Sequence, residues 1–265
     1  MTLGTLPRSP QELRSLIRKG HLNVSSTAGL APGYVQANLV ILPKAQAFDF
    51  LLFCQRNPKP CPLIEVMEPG VAEPTISAPG ADIRTDLHGY RVYRDGVLTK
   101  EVENIKEEWQ DDLVTFLLGC SFTFEAALMS AGIYMRHIEE GKNVSMYITN
   151  IATVPAGRFG GPTVVSMRPI PREKVVKAVQ VTSRFPSVHG APLHIGDPEA
   201  IGVQDLSRPD FGDVVTIKEG EVPIFWACGV TPQAVAMQSK PPLMITHAPG
   251  HMLITDMRDE DLSVL

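Results

Sequence analysis

The sequence predicts an α/β or α+β protein built on a mixed sheet, and three observations carry that reading. Runs with helical spacing and runs with strand character alternate along the whole chain. The 23 prolines and 21 glycines fall largely between those runs, where they stop one element and release the next. At 265 residues and 44% hydrophobic content, the chain can bury the core of one large domain or two closely joined ones. It shows no internal repeat, coiled-coil pattern or low-complexity tract.

Taken in order, Ser9-Pro10-Gln11-Glu12 is a capping box with proline at the first helical position, and Gly20 closes that helix after Arg18-Lys19. Ala37–Leu42 reads as a short buried strand. Lys44–Arg56 reads as a helix stopped by Asn57-Pro58. Leu63–Met67 is a strand within a proline-dense stretch, and Tyr90–Leu98 is a hairpin about Asp95-Gly96. Trp109, Leu113, Phe116 and Leu117 fall on one helical face, so a helix is expected up to Gly119, with a second from Ser121 to Gly132. Strands follow at Val144–Thr149 and Thr163–Arg168, then a helix from Pro171 to about Val181. Val214–Ile217 and Val222–Cys228 read as a hairpin about Glu219-Gly220. Thr231-Pro232 starts a helix ended by Pro241-Pro242, and Leu243–Thr246 and Met252–Thr255 complete the strands.

Composition excludes some functions. A net charge of −5 with scattered lysines and arginines gives no basic face for nucleic acid. No apolar run approaches the ~20 residues that cross a bilayer. Residues 1–8 lack the apolar stretch of a signal peptide, and Cys54, Cys61, Cys120 and Cys228 form no C-x-x-C pair. Reduced thiols and a cytoplasmic location are therefore expected.

Candidate chemistry gathers at turns. Four of the seven histidines lie in His189-Gly-Ala-Pro-Leu-His194 and Thr246-His247-Ala-Pro-Gly-His251, where proton transfer near neutrality is the natural use of imidazole. His247 and His251 have the i, i+4 spacing of a helical metal pair, but Pro249-Gly250 rules out a regular helix, so no metal or cofactor is predicted. Cys228-Gly229 precedes the Thr231 helix, whose first amides, with Gln233 in the first turn, are expected to bind a carboxylate. That helix end would also lower the Cys228 pKa; the plainer reading is a small buried side chain. Ser121 is expected to cap its helix. Glu125, one turn inside between Phe122 and Phe124, is either an ordinary first-turn carboxylate or a base with a raised pKa. Asn150 opens a glycine-rich loop whose Arg158, with Arg168 on the next strand, offers cations for a carboxylate. Arg136-His137 followed by Glu139-Glu140 reads as a solvated charge run.

Several of these stretches together resemble a known family, the hydro-lyases related to D-glutamate cyclase. The likeness rests on Ala28-Gly-Leu-Ala-Pro-Gly-Tyr-Val-Gln-Ala-Asn38, Phe48–Pro60, Gly119-Cys-Ser-Phe-Thr-Phe-Glu125 and Pro155-Ala-Gly-Arg-Phe159. It continues through His189–Pro192, Trp226–Gln233 and Thr246–His251, and departs at Val24-Ser-Ser. The resemblance implies a three-layer α/β/α body with a smaller two-layer α+β part, divided here as residues 1–118 with 200–265, and 119–199. It also implies a lyase that removes water, the leading reaction being D-glutamate closing to 5-oxo-D-proline. On that basis the expected catalytic residues are Glu125, His189, His247, His251 and Cys228. The expected substrate contacts are Ser121, Asn150, Arg158, Arg168, His194, Gly229, Thr231 and Gln233. The partner would be a small carboxylate, and a homo-oligomer is allowed. A non-catalytic carboxylate binder in 5-oxoproline metabolism and a different, metal-dependent lyase or hydrolase remain as alternatives.

Overall fold

Strand β1 (Tyr34–Pro43), with its interior positions all buried, organises the larger of two sheets in the computed structural model of the protein, which describes residues 9–22 and 24–264. The octapeptide read above for a signal sequence lies outside the described residues. The large sheet runs β2 (Leu63–Val66), β5 (Leu113–Gly119), β1, β10 (Met244–His247), β3 (Tyr90–Arg94) and β4 (Val97–Val102). A seventh strand, β11 (Leu253–Arg258), also pairs with β1. The second sheet runs β6 (Ser145–Ala152), β7 (Pro162–Pro171), β9 (Glu221–Ala227) and β8 (His194–Ile195).

The α/β class holds, although every pairing in both sheets is antiparallel rather than mixed. The reason is visible at α2 (Lys44–Arg56), which connects β1 to β2. Those strands run parallel to each other, but β5 is inserted between them and opposes both.

In place of the helix expected through Trp109–Leu117, Leu113–Gly119 forms strand β5, between β2 and β1. Its alternate residues face two cores: Leu113 and Leu117 pack with Leu39, Ile41 and Val92, while Val114, Phe116 and Leu118 pack with Val40, Leu42 and Phe50. A strand covered on both sides is apolar throughout, so helical spacing occurs in it by accident. Helices α2 and α6 (Thr231–Ser239) cover one face of this sheet. On the other, Met67, Ala78, Ile83, Leu87 and Ile105 come largely from irregular chain. The expected strand at Val214–Ile217 is irregular as well, and β9 pairs with β7 and β8.

Ser9 caps α1 (Pro10–Arg18), its hydroxyl accepting from the Glu12 amide, which is the N-cap half of the expected box. Helix α3 (Phe122–Ser130) leaves β5 almost at once and packs against α5 (Val175–Ser183) beneath the second sheet. The short α4 (Arg136–Glu139) follows. All four cysteines are free and buried, and no helix among the described residues is long and apolar enough to cross a membrane.

Gly119 lies where the end of β5 meets the turn at 187–188. A methyl group there would overlap the Ser187 carbonyl and sit 2.9 Å from Val188 Cγ1. Gly119→Ala is expected to cost about 1–3 kcal/mol by overpacking, read as a lowered urea midpoint at unchanged slope.

Candidate active site

The polar centre of the molecule is assembled from three elements that the sequence keeps far apart. Arg168, on β7, is buried and reaches α3, where its Nε and Nη2 donate to Glu125 Oε1 at 2.8 and 2.5 Å. Nη1 donates to Ser166 Oγ and Nη2 to Ser121 Oγ, both at 2.9 Å. Its guanidinium also lies 5.4 Å from the Phe124 ring centre and 5.5 Å from that of Trp226. Those rings explain why an arginine is held so firmly here: they offer π-faces to a cation that has lost its water. Ser121 thus makes no side-chain cap to α3; its hydroxyl is taken by the arginine.

His137, on α4, completes the cluster. Its Nε2 lies 3.3 Å from Glu125 Oε1, at ion-pair distance but not aligned as a hydrogen bond, and its ring stacks on Phe122. Both Arg136 and His137 are buried, so the solvated charge run expected there is not observed. Arg136 is turned inward by Glu139, Glu221 and the Thr216 carbonyl. The sequence held one signal for this: Arg136-His137 is flanked by the apolar Ile133, Met135 and Ile138, the first two fully buried, so the charged pair sits in a stretch that packs on the core.

Burial opposes ionisation of Glu125, but the charges of His137 and Arg168 outweigh it and hold the carboxyl below its ordinary range. Glu125 is therefore a committed carboxylate, and the raised pKa expected of a general base does not occur. What it can do is orient and stabilise a protonated imidazole. His137 also lines a cavity of about 220 Å³ with Ser25, Ser26 and Lys142.

The other candidates lie elsewhere or are already occupied. Cys228 is buried and its thiol is pushed up to about 11, with the Val230 amide as a hydrogen-bond donor; Cys120 is pushed up too, by burial. The amides of Thr231 and Gln233 donate to the Cys228 and Val230 carbonyls, and the Thr231 hydroxyl to Cys228 O. No free helix amide remains at those positions for a carboxylate. Gly229 lies against the Asn38 side chain, which leaves no room there for a Cβ. Gln233 accepts from Arg91 and Tyr93 and donates to the His247 carbonyl.

His247 is part of the sheet. Strands β10 and β11 pair with β1 in succession, and at the break between them Leu39 N–H donates to His247 Nδ1 at 3.2 Å. Its acceptor nitrogen is thus spent on the backbone. His251 stacks on His88 with ring centres 4.9 Å apart. His189 sits at φ +81°, its Nδ1 2.8 Å from the Lys59 carbonyl, and lines a separate cavity. His194 is on the edge strand β8, against Phe225 and the Asp197 carbonyl. Asn150 and Arg158 do meet, in an open cavity of about 690 Å³, but no group lining it exchanges protons near neutrality. The chain thus brings together Ser121, Glu125 and Arg168, and separately Gln233 and His247. No group of three or more His, Cys, Asp or Glu among the described residues is placed to hold a metal ion.

With that geometry established, the likenesses to known proteins become informative. The profile of the family described as "D-glutamate cyclase" matches residues 114–256, a stretch that holds Ser121, Glu125, His137 and Arg168. The protein of Bacillus subtilis (strain 168) named "Putative hydro-lyase YcsI" is 64% identical over 257 residues, covering 97% of this chain and 100% of that one. A "Putative hydro-lyase" of Stutzerimonas stutzeri (strain A1501) is also 64% identical, covering 97% of each chain. This chain belongs to the D-glutamate cyclase family of hydro-lyases. The crystal structure of a nitrogen repressor-like protein from Methanococcus jannaschii covers 82% of this chain and 86% of its own. At 8% identity and a TM-score of 0.39, that likeness is too distant to bear on this family member.

Two outcomes are expected of these groups. Removing one partner of a buried ion pair strands the other, so Arg168→Met is expected to cost about 3–5 kcal/mol, and Glu125→Gln combined with Arg168→Met less than that; denaturant melts of both variants check the coupling. Burial holds His189, His247 and His251 at about 4, against an ordinary 6.5. As pH falls from 6.5 to 4 the unfolded chain takes up protons that the native one refuses. Stability is then lost by up to about 1.4 kcal/mol per pH unit for each histidine. Urea midpoints measured from pH 7 to pH 4.5 should show this, and His247→Gln should remove one histidine's share of the slope.

Proposed function

We propose that this hydro-lyase closes a small amino dicarboxylate on itself with loss of water, D-glutamate to 5-oxo-D-proline being the leading reaction, at the cavity lined by His137. The observation that carries the reading is that His137, among the residues lining a cavity, has its buried Nε2 resting against a fixed carboxylate, Glu125, at 3.3 Å. Family membership supports the hydro-lyase class, and the family's description motivates D-glutamate as the leading substrate. The cavity, at about 220 Å³, lies below the ~300–1,000 Å³ usual for drug-sized ligands, which favours a small substrate.

The chemistry demands proton traffic. The substrate ammonium must lose two protons as its nitrogen bonds to the γ-carboxyl carbon. One γ-oxygen must gain both to leave as water. His137 is suited to take a proton from the nitrogen, with Glu125 stabilising the resulting imidazolium, and to return it to the departing oxygen. Lys142 lines the same cavity, its ammonium held by Glu140 Oε2 and the Val214 carbonyl, both at 2.9 Å, so it would have to exchange Glu140 for the substrate carboxylate, a poor electrophile while its charge is uncompensated. Ser25 and Ser26 offer hydroxyls beside it. Arg168 acts through Glu125 and does not line this cavity.

The test is to incubate the purified protein with D- and with L-glutamate and measure 5-oxoproline by chiral chromatography. Product from the D-enantiomer is expected, with turnover per folded molecule reduced about 10²–10⁴-fold in His137→Gln, measured well below a melting midpoint that the loss of Glu125's imidazole partner lowers. Absence of 5-oxoproline from both enantiomers would discard the reaction. Equal turnover in His137→Gln would discard the site.

A further inference from the structure

Glu125 also lines a second, much smaller cavity of about 20 Å³, with the loop at residues 29–34, Gln36, α3 and Asp259. Three side-chain oxygens among its lining residues are buried and have no hydrogen-bond partner: Gln36 Oε1, Glu125 Oε2 and Asp259 Oδ1. Each is fixed by its other bonds. Gln36 Nε2 donates to the Thr27 carbonyl at 2.9 Å and the Leu30 carbonyl at 3.1 Å, so turning the amide over would set oxygen against two carbonyls. Glu125 spends Oε1 on Arg168, which leaves Oε2 over. Asp259 is tied to the loop through its amide, which donates to the Gly33 carbonyl at 3.1 Å.

Buried acceptors without donors are costly, and carboxylates more so than amides. The nearby Arg258 guanidinium does not serve them, since it lies over the Tyr34 ring at 4.0 Å. Burial pushes Asp259 up to about 7, so below that pH its own proton can serve the cavity; above it, a water would fit the space but brings two protons for three acceptors and no charge. A cation of the same size meets all three and offsets the two carboxylates. We propose that the cavity bounded by Gln36, Glu125 and Asp259 binds a water-sized monovalent cation, ammonium or potassium. Its occupant would hold Glu125 Oε2 as Arg168 holds Oε1, fixing the carboxylate from both sides. The two cavities share no lining residue, and this site stands whether or not D-glutamate is the substrate.

The experiment is a set of melts of the full chain at pH 8 in choline, potassium, ammonium or sodium chloride at equal ionic strength, with calorimetric titration of potassium and of ammonium into choline-exchanged protein. A saturable rise in midpoint of roughly 5 °C at a hundredfold excess over Kd is expected with potassium, ammonium or both, and little with choline. Potassium alone would mark ion coordination, and ammonium alone a hydrogen-bonded site; either supports the proposal. Asp259→Asn should abolish the rise. Identical midpoints in all four salts with no calorimetric saturation would leave ordered water as the occupant and overturn the proposal. So would a full rise retained in Asp259→Asn. Should that variant fail to fold, the calorimetry on the unaltered chain decides.

Discussion

The buried pairing of Arg168 with Glu125 is the constraint on which the rest of the molecule depends. It joins β7 of the second sheet to α3, which follows β5 of the first, and so ties the two sheets together. Neither charge could stay in that interior alone. The arginine is compensated by one carboxylate, two hydroxyls and two aromatic faces, and the carboxylate by the arginine and His137. Because so many partners must be in place together, the arrangement sets the relation of α3 to α4 and to β7. That relation in turn puts His137 between a fixed carboxylate and a cavity.

The same constraint separates structural histidines from the one proposed to carry chemistry. His247 completes the β1 ladder where two partner strands succeed each other, and His189 is pinned to a backbone carbonyl. Burial keeps both neutral through the range in which enzymes exchange protons, with pKa values of about 4. Their glycine- and proline-rich surroundings, which read as the turns of an active site, are the turns needed to bring polar rings into the sheet ends. His137 carries no such surroundings. Its importance comes from the carboxylate beside it.

Much of this protein was legible along the chain. The N-cap at Ser9, the stop at Asn57-Pro58, the Asp95-Gly96 hairpin and the proline-started helix at Thr231 are local signals, set by the chemistry of a few neighbouring residues, and they stand where they were read. The long motifs by which the chain resembles its family are equally local, and the family assignment follows from them. The strand at Leu113–Gly119 was not legible, because a strand buried on both faces loses the alternation that marks one. Nor was the state of the Thr231 amides, since their acceptors lie in the same tight turn and a helix start in sequence does not show whether its donors are already used.

By itself, then, the sequence determined the α/β class, most helix ends and turns, and membership of the hydro-lyase family, all properties fixed by neighbours along the chain. The tertiary structure alone decided which charges meet. Ser121, Glu125, His137 and Arg168 lie on three elements, and no spacing relates them. Their ionisation states follow from burial and from partners brought in across the fold: Glu125 is held as a carboxylate by His137 and Arg168, while burial drives the turn histidines neutral. The physical reason is range. Propensity and capping act over one turn of chain, whereas desolvation and Coulomb forces act through the space that only folding closes.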